Sequence, residues 1–209
     1  MPRVPLLASL DVSAPADVWT DLGFAPHDGV TVVDGVSHRH GAPGKGITGW
    51  TLWGVSLAPG EDEIEGLPTS VADGPPPAPL TPEHPNGVTG LDHVVVFTPD
   101  LARSVSAFER VGMVALRTRD SDSYGAPMRQ AFFRLGPVIL EVVGPQEPSG
   151  DGPARFFGLA WTCDDLDATG RWLGDRLHPP KDAVQDGRRI ATLDRAAGSR
   201  VAMAFMSAP

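Results

Sequence analysis

The chain has 209 residues, a formal net charge of −9, 41% hydrophobic and 21% charged residues, and one cysteine, Cys163. This composition fits a folded globular chain of one large or two small domains, and excludes a disulfide-stapled scaffold. It also excludes a nucleic-acid binder, since no basic stripe exists to neutralise phosphates. No apolar run approaches the ~20 residues of a membrane-spanning helix, and residues 1–8 lack the apolar core of a secretory signal, so a cytoplasmic protein without membrane contact is expected.

In chain order, residues 6–12 read as a strand and 16–22 as a short helix before Gly23. Residues 30–33 and 36–40 flank Asp34-Gly35, a strong two-residue hairpin signal, and 47–55 add a strand rich in tryptophan and threonine. The stretch from Gly60 to Gly90 holds Pro75-Pro76-Pro77-Ala78-Pro79 and Pro82-Glu83-His84-Pro85. Proline fixes φ and removes a donor, so residues 59–89 read as a linker or surface arm. The acidic run Glu61-Asp62-Glu63 within it reads as a solvated loop.

Residues 91–97 are β-rich, and Asp100 caps a helix whose Leu101, Val105, Phe108 and Val111 recur at helical spacing before Gly112. A short strand over 114–118, a polar loop over 120–127, and a hairpin of 130–135 with 138–143 about Gly136-Pro137 complete the segment. After a second Pro/Gly break at 144–153 the plan repeats. Residues 157–162 form a strand, Asp164-Asp165-Leu166 opens a helix, and 189–193 with 201–206 close as a hairpin. A repeat of this length is an architectural signal.

Two residues stand out inside apolar strands: His93 in Leu91-Asp92-His93-Val94-Val95-Val96-Phe97, and Glu141 in Val138-Ile139-Leu140-Glu141-Val142-Val143. A carboxylate there is costly to bury unless it meets a cation, a metal or hydrogen-bond donors. Imidazole and carboxylate together are ordinary ligands for divalent metals. A histidine hydrogen-bonded to the carboxylate would satisfy both groups without a metal.

The opening motif from Leu91 to Leu101, the hairpin motif Phe132-Phe133-Arg134-Leu135-Gly136-Pro137-Val138-Ile139-Leu140-Glu141-Val142 and the βαβββ duplication resemble the vicinal oxygen chelate superfamily. That superfamily includes glyoxalase I, extradiol dioxygenases, fosfomycin-resistance enzymes and bleomycin-binding proteins. The resemblance covers residues 88–207, and 3–58 only faintly. It implies an α+β fold of paired βαβββ modules, forming an open curved mixed β-sheet barrel with helices outside, plus a degenerate N-terminal module. The corresponding boundaries are 1–58 for the degenerate module, 59–89 for the linker, 90–145 for the module carrying His93 and Glu141, and 153–207 for a second module. An odd module leaves a sheet edge that a homodimer would cover.

In the metal-dependent members, one ligand comes from the first strand and one from the last strand of each module. His93 and Glu141 match these positions; in the second module the same positions fall at Gly158 and Ala204, which bind no metal. Aligning the turn Asp34-Gly35 with the turn at Gly136 sets His40 opposite Glu141. The resemblance thus implies a divalent metal (Fe, Mn, Ni, Co or Zn) on His93, Glu141 and His40, with Glu141 doubling as a base. The function implied is that of a glyoxalase/bleomycin-resistance/dioxygenase-like protein: a lyase, isomerase or dioxygenase acting on a small oxygenated molecule. The alternative is a metal-free protein that sequesters an antibiotic-like small molecule, which the missing ligands favour.

Simpler roles account for the other polar residues. Alternation sets His38 and His40 on one exposed strand face, and His27, His84 and His178 read as loop residues at the surface. Cys163, followed by two aspartates, reads as structural. Arg129, Gln130 and Arg134 precede Glu141 and either contact an anionic substrate or face solvent. Trp50 and Trp53, three apart on a strand, lie on opposite faces, so one is expected at the surface or an interface.

Overall fold

The structure is a computed structural model that describes residues 4–74, 82–122 and 125–209. Its elements in chain order begin with β1 (Leu6–Val12), α1 (Ala16–Asp21), β2 (Val30–Val33), β3 (Val36–His40), β4 (Ile47–Trp53), β5 (Glu63–Ile64) and β6 (Leu67–Val71). They continue with β7 (Val88–Phe97), α2 (Leu101–Arg110), β8 (Ala115–Ser121), β9 (Met128–Leu135) and β10 (Val138–Pro145). The last are β11 (Arg155–Cys163), α3 (Leu166–Leu173), β12 (Lys181–Asp182), β13 (Arg189–Thr192) and β14 (Ala202–Ser207). The fold is α+β with mixed sheets. The sheets end on strands with a single neighbour, so neither closes into a barrel.

The chain divides into two compact units. Unit 1 holds Met1–Ala8, Gly49–Pro76 and His93–Phe157; unit 2 holds Ser9–Thr48, Pro77–Asp92 and Gly158–Pro209. Neither is a contiguous stretch, because each gathers part of the N-terminal segment with one of the later modules.

In unit 1, β10 runs parallel to β7 with Ile139 beside His93, Glu141 beside Val95 and Val143 beside Phe97. β9 pairs antiparallel to β10, placing Phe132 opposite Glu141 and Gln130 opposite Val143. β8 closes the order with a bulge between Ala115 and Arg117, after which Arg117 pairs Phe132 and Arg119 pairs Gln130. Side chains alternate across a strand. His93, Val95, Phe97, Ile139, Glu141, Gln130, Phe132, Arg117 and Arg119 therefore share one face. The other face is core: Val94, Val96, Leu140, Val142 and Phe133 are fully buried. There α2 lays Phe108 against Phe133 at 5.5 Å, with Trp50 of β4 at 6.2 Å. Asp100 starts α2 as expected, its carboxylate accepting from the Arg103 N–H at 3.0 Å.

The segment read as a linker is partly built into unit 1. β6 pairs parallel to β4, and Trp50 Nε1 donates to the buried Thr69 Oγ1 at 2.7 Å. Ile64 and Leu67 supply apolar anchors, 3% and 1% exposed, and Glu65 and Gly66 take the positive φ of 55° and 84° that a tight hairpin needs. The proline run Pro75-Pro76-Pro77-Ala78-Pro79 lies outside the described residues, as do Ser123 and Tyr124 of the polar loop. Of the two tryptophans on β4, Trp50 is buried and Trp53 is half-buried.

In unit 2, β3 runs parallel to β1 and antiparallel to β2 through the Asp34-Gly35 turn, whose φ values of 48° and 79° suit a primed hairpin turn. β14 runs parallel to β11, setting Gly158 beside Ala202 and Ala160 beside Ala204. Asp165 caps α3, accepting from the Asp167 and Ala168 N–H groups. His38 is fully buried rather than exposed, because the face it shares with the inner side of β3 packs on Trp19 and Trp161 at 5.4 and 5.1 Å. His84 is also buried, not a surface residue: Nδ1 accepts from the Ala25 N–H and Nε2 donates to the Val32 carbonyl. His27 and His178 are exposed as read.

Candidate functional site

The polar group on the shared face of unit 1 is a connected chain. Glu141, its side chain 9% exposed, has Oε2 3.7 Å from Nε2 of His93 on the neighbouring strand. Its Oε1 accepts from Nε2 of Gln130, two strand positions from the residue directly opposite. The Gln130 carbonyl oxygen in turn accepts from Nε and Nη2 of Arg119, at 2.9 and 2.6 Å. Gln130 is 2% exposed, so its amide is buried with both ends used. That double use fixes the amide orientation, oxygen toward the guanidinium and nitrogen toward the carboxylate. The cost of burying Glu141 is thereby met by hydrogen bonding. A donor polarised by a cation is also a stronger donor.

His93 and Glu141, singled out in the sequence, are brought together. His40 is not part of this group in unit 1; it lies in unit 2. There its Nδ1 donates to the Ala14 carbonyl at 3.3 Å, and its Nε2 accepts from Thr31 Oγ1 at 2.8 Å. Burial holds its pKa below the usual imidazole value.

As metal donors, the residues fall short of a three-ligand protein set. Among the described residues no cluster of three His, Cys, Asp or Glu side chains exists. Gly158 is closed to any side chain, since a Cβ there would lie 2.5 Å from the Ala202 carbonyl oxygen and 2.9 Å from its Cβ. Cys163 is buried, and burial pushes its thiol up to about 11, which agrees with a structural role.

Arg119 is the functional candidate that sequence reasoning missed, because the strand was ended at Thr118. Its signal was the i, i+2 spacing of Arg117 and Arg119, which puts both on one face. Of the three residues marked ahead of Glu141, Gln130 turns inward, while Arg129 and Arg134 are exposed.

Residues 92–192 match the model of the Glyoxalase/Bleomycin resistance protein/Dioxygenase superfamily. No curated protein matches the sequence. Among solved structures, a triple mutant of 4-hydroxymandelate synthase from Streptomyces coelicolor aligns at a TM-score of 0.68 with 16% identity, covering 97% of this chain and 92% of that one. Methylmalonyl-CoA epimerase from Mycobacterium tuberculosis aligns at 0.49 with 24% identity, over 59% of this chain and 91% of that one. A Streptomyces coelicolor methylmalonyl-CoA epimerase in complex with 2-nitronate-propionyl-CoA gives 0.47 and 20% identity, over 58% and 95%. At these identities structural likeness speaks to fold alone. Residues 92–192 thus resemble the glyoxalase/bleomycin resistance/dioxygenase superfamily, and the chain has the fold of the 4-hydroxymandelate synthase structure.

Proposed function

We propose that unit 1 takes a small oxygenated molecule on the face of β7 and β10 and exchanges a proton with it through Glu141. The observation that carries this reading is the buried chain Arg119–Gln130–Glu141–His93. Gln130 pins one carboxylate oxygen, and the second lies 3.7 Å from His93 Nε2. A carboxylate held in one orientation on a sheet is the arrangement that general acid–base catalysis requires. His93 beside it supplies a second titratable group at the same reacting atom, which suits an isomerase or lyase.

Superfamily members typically use a divalent metal. Among the described residues the donors on this face stop at His93 and Glu141, short of the three protein ligands such an ion ordinarily takes. A metal on His93, Glu141 and His40 is the competing reading, and simple sequestration of a small molecule is the other.

The test follows deuterium uptake from solvent by NMR at the carbon next to the carbonyl, using 2-oxobutanoate and methylmalonyl-N-acetylcysteamine. Metal content by mass spectrometry runs beside it. Exchange catalysed by the wild type and reduced about 100-fold in Glu141→Gln, the scale of a lost general base, supports the proposal. One metal per chain, lost in both His93→Ala and Glu141→Ala, replaces it with the metal-dependent reading. Probe binding without exchange in any preparation replaces it with sequestration.

A further inference from the structure

Around Glu141 the face is framed by guanidinium groups stacked on aromatic rings. On one side Arg117 and Arg119 place Cζ over the Phe132 ring at 4.9 and 5.5 Å. On the other, Phe97 stacks on Phe157 with ring centroids 4.3 Å apart, and Arg155 lies over Phe97 at 5.7 Å. Phe157 is 40% exposed, so this stack has an open side. In a chain whose net charge is −9, cations are concentrated here around one carboxylate. Arg119 is committed to Gln130. Arg117 and Arg155 pair with no carboxylate among the described residues.

A guanidinium over a ring gains a cation–π contact and keeps N–H donors that match a carboxylate in a two-pronged fashion. The spacing of the two shelves sets the size of the ligand. Phe132 lies opposite Glu141 and Phe97 beside Val143, so the rings stand two strands and one two-residue step apart. That is roughly 12 Å from strand geometry.

We infer that the ligand of unit 1 is a planar organic carboxylate. Its carboxylate is held by Arg117 and its ring system packs against the exposed side of the Phe97–Phe157 stack. This rests on the proposed reading in placing the molecule's middle over Glu141 and His93.

The probes are 2-naphthoate and its uncharged isostere 2-naphthamide, with binding measured by calorimetry and saturation-transfer NMR. The expected result is about tenfold tighter binding of the carboxylate to the wild type, the scale of one charge-assisted pair. Arg117→Gln removes that preference. Arg129→Gln, which takes the same charge from the neighbouring strand but off this face, leaves it intact, and Phe157→Ser weakens both ligands alike. Equal binding of the two ligands, no binding of either, or equal losses in the two arginine variants overturns the inference. Glu141→Gln separates it from the proton-transfer proposal. Deuterium exchange absent from the wild type while Arg117-dependent binding persists removes only the chemistry. Exchange intact without any preference for the carboxylate removes only the ligand class.

Discussion

The two compact units treat a strand histidine in opposite ways. In unit 1, His93 sits on a sheet face 3.7 Å from Glu141, which is hydrogen-bonded to Gln130 and through it to Arg119. In unit 2, His38 sits inside an aromatic cluster of Trp19, Trp161 and Phe24, with Nδ1 donating to the Thr31 carbonyl at 3.2 Å and Nε2 left without a hydrogen-bond partner. Burial pushes the His38 pKa down to about 3, which keeps the ring neutral. The same residue type thus joins a polar group where polar side chains converge on it, and packs where rings do. Unit 2 lacks both groups at the matching strand positions: β14 has Ala204 where β10 has Glu141, and β11 has Gly158 where β7 has His93.

The largest way to break this contrast is Trp161→Ala. Trp161 is fully buried against Trp19, Phe24 and His38, and its loss should cost about 3–5 kcal/mol in a urea titration. Acidification comes next. His38 protonates near 6.5 when unfolded and near 3 when folded. Its contribution is therefore complete above pH 6.5 and is lost as pH falls toward 3, at about 1.4 kcal/mol per pH unit. Burial lowers His40 and His84 as well and adds in the same direction. His38→Leu should flatten the measured slope of stability against pH; an unchanged slope would show that His38 is not its source. Gly158→Ala should destabilise by about 1–3 kcal/mol, because the new methyl meets the Ala202 carbonyl. A thermal melt equal to the wild type's would reopen that position to a ligand side chain. Smallest is Asp167→Asn, which removes the exposed surface pair with Arg189 and should leave the urea midpoint unchanged.

The elements that were legible in the sequence are those whose signal is local. Asp100 and Asp165 cap helices and Asp34-Gly35 turns a hairpin because each needs only its neighbours. Glu141 and His93 were legible for a different reason, since a charged or titratable residue in an apolar strand demands a partner. Which partner it finds was not legible. The Gln130 contact depends on β9 being in register with β10, a long-range fact that composition does not encode. His84 and residues 67–71 failed in the other direction. Prolines marked their surroundings as irregular, yet the backbone of β6 lies along β4, and both ring nitrogens of His84 find partners from distant segments.

The bulge in β8 has a consequence for how this face can vary. Ala115 and Arg117 have the same parity, yet Ala115 pairs Phe133 of the core while Arg117 pairs Phe132 of the site face. The residue between them, Leu116, is 51% exposed. It works as a frame-shift within one strand, letting a single edge segment begin as core and end as a charged rim. Because β8 has no neighbour beyond it, a residue gained or lost at this point re-registers the charges on one strand and leaves β9, β10 and the Glu141 chain where they are. Under the proposed reading, a small insertion or deletion in β8 would alter the charged rim over the ligand without moving the carboxylate beneath it.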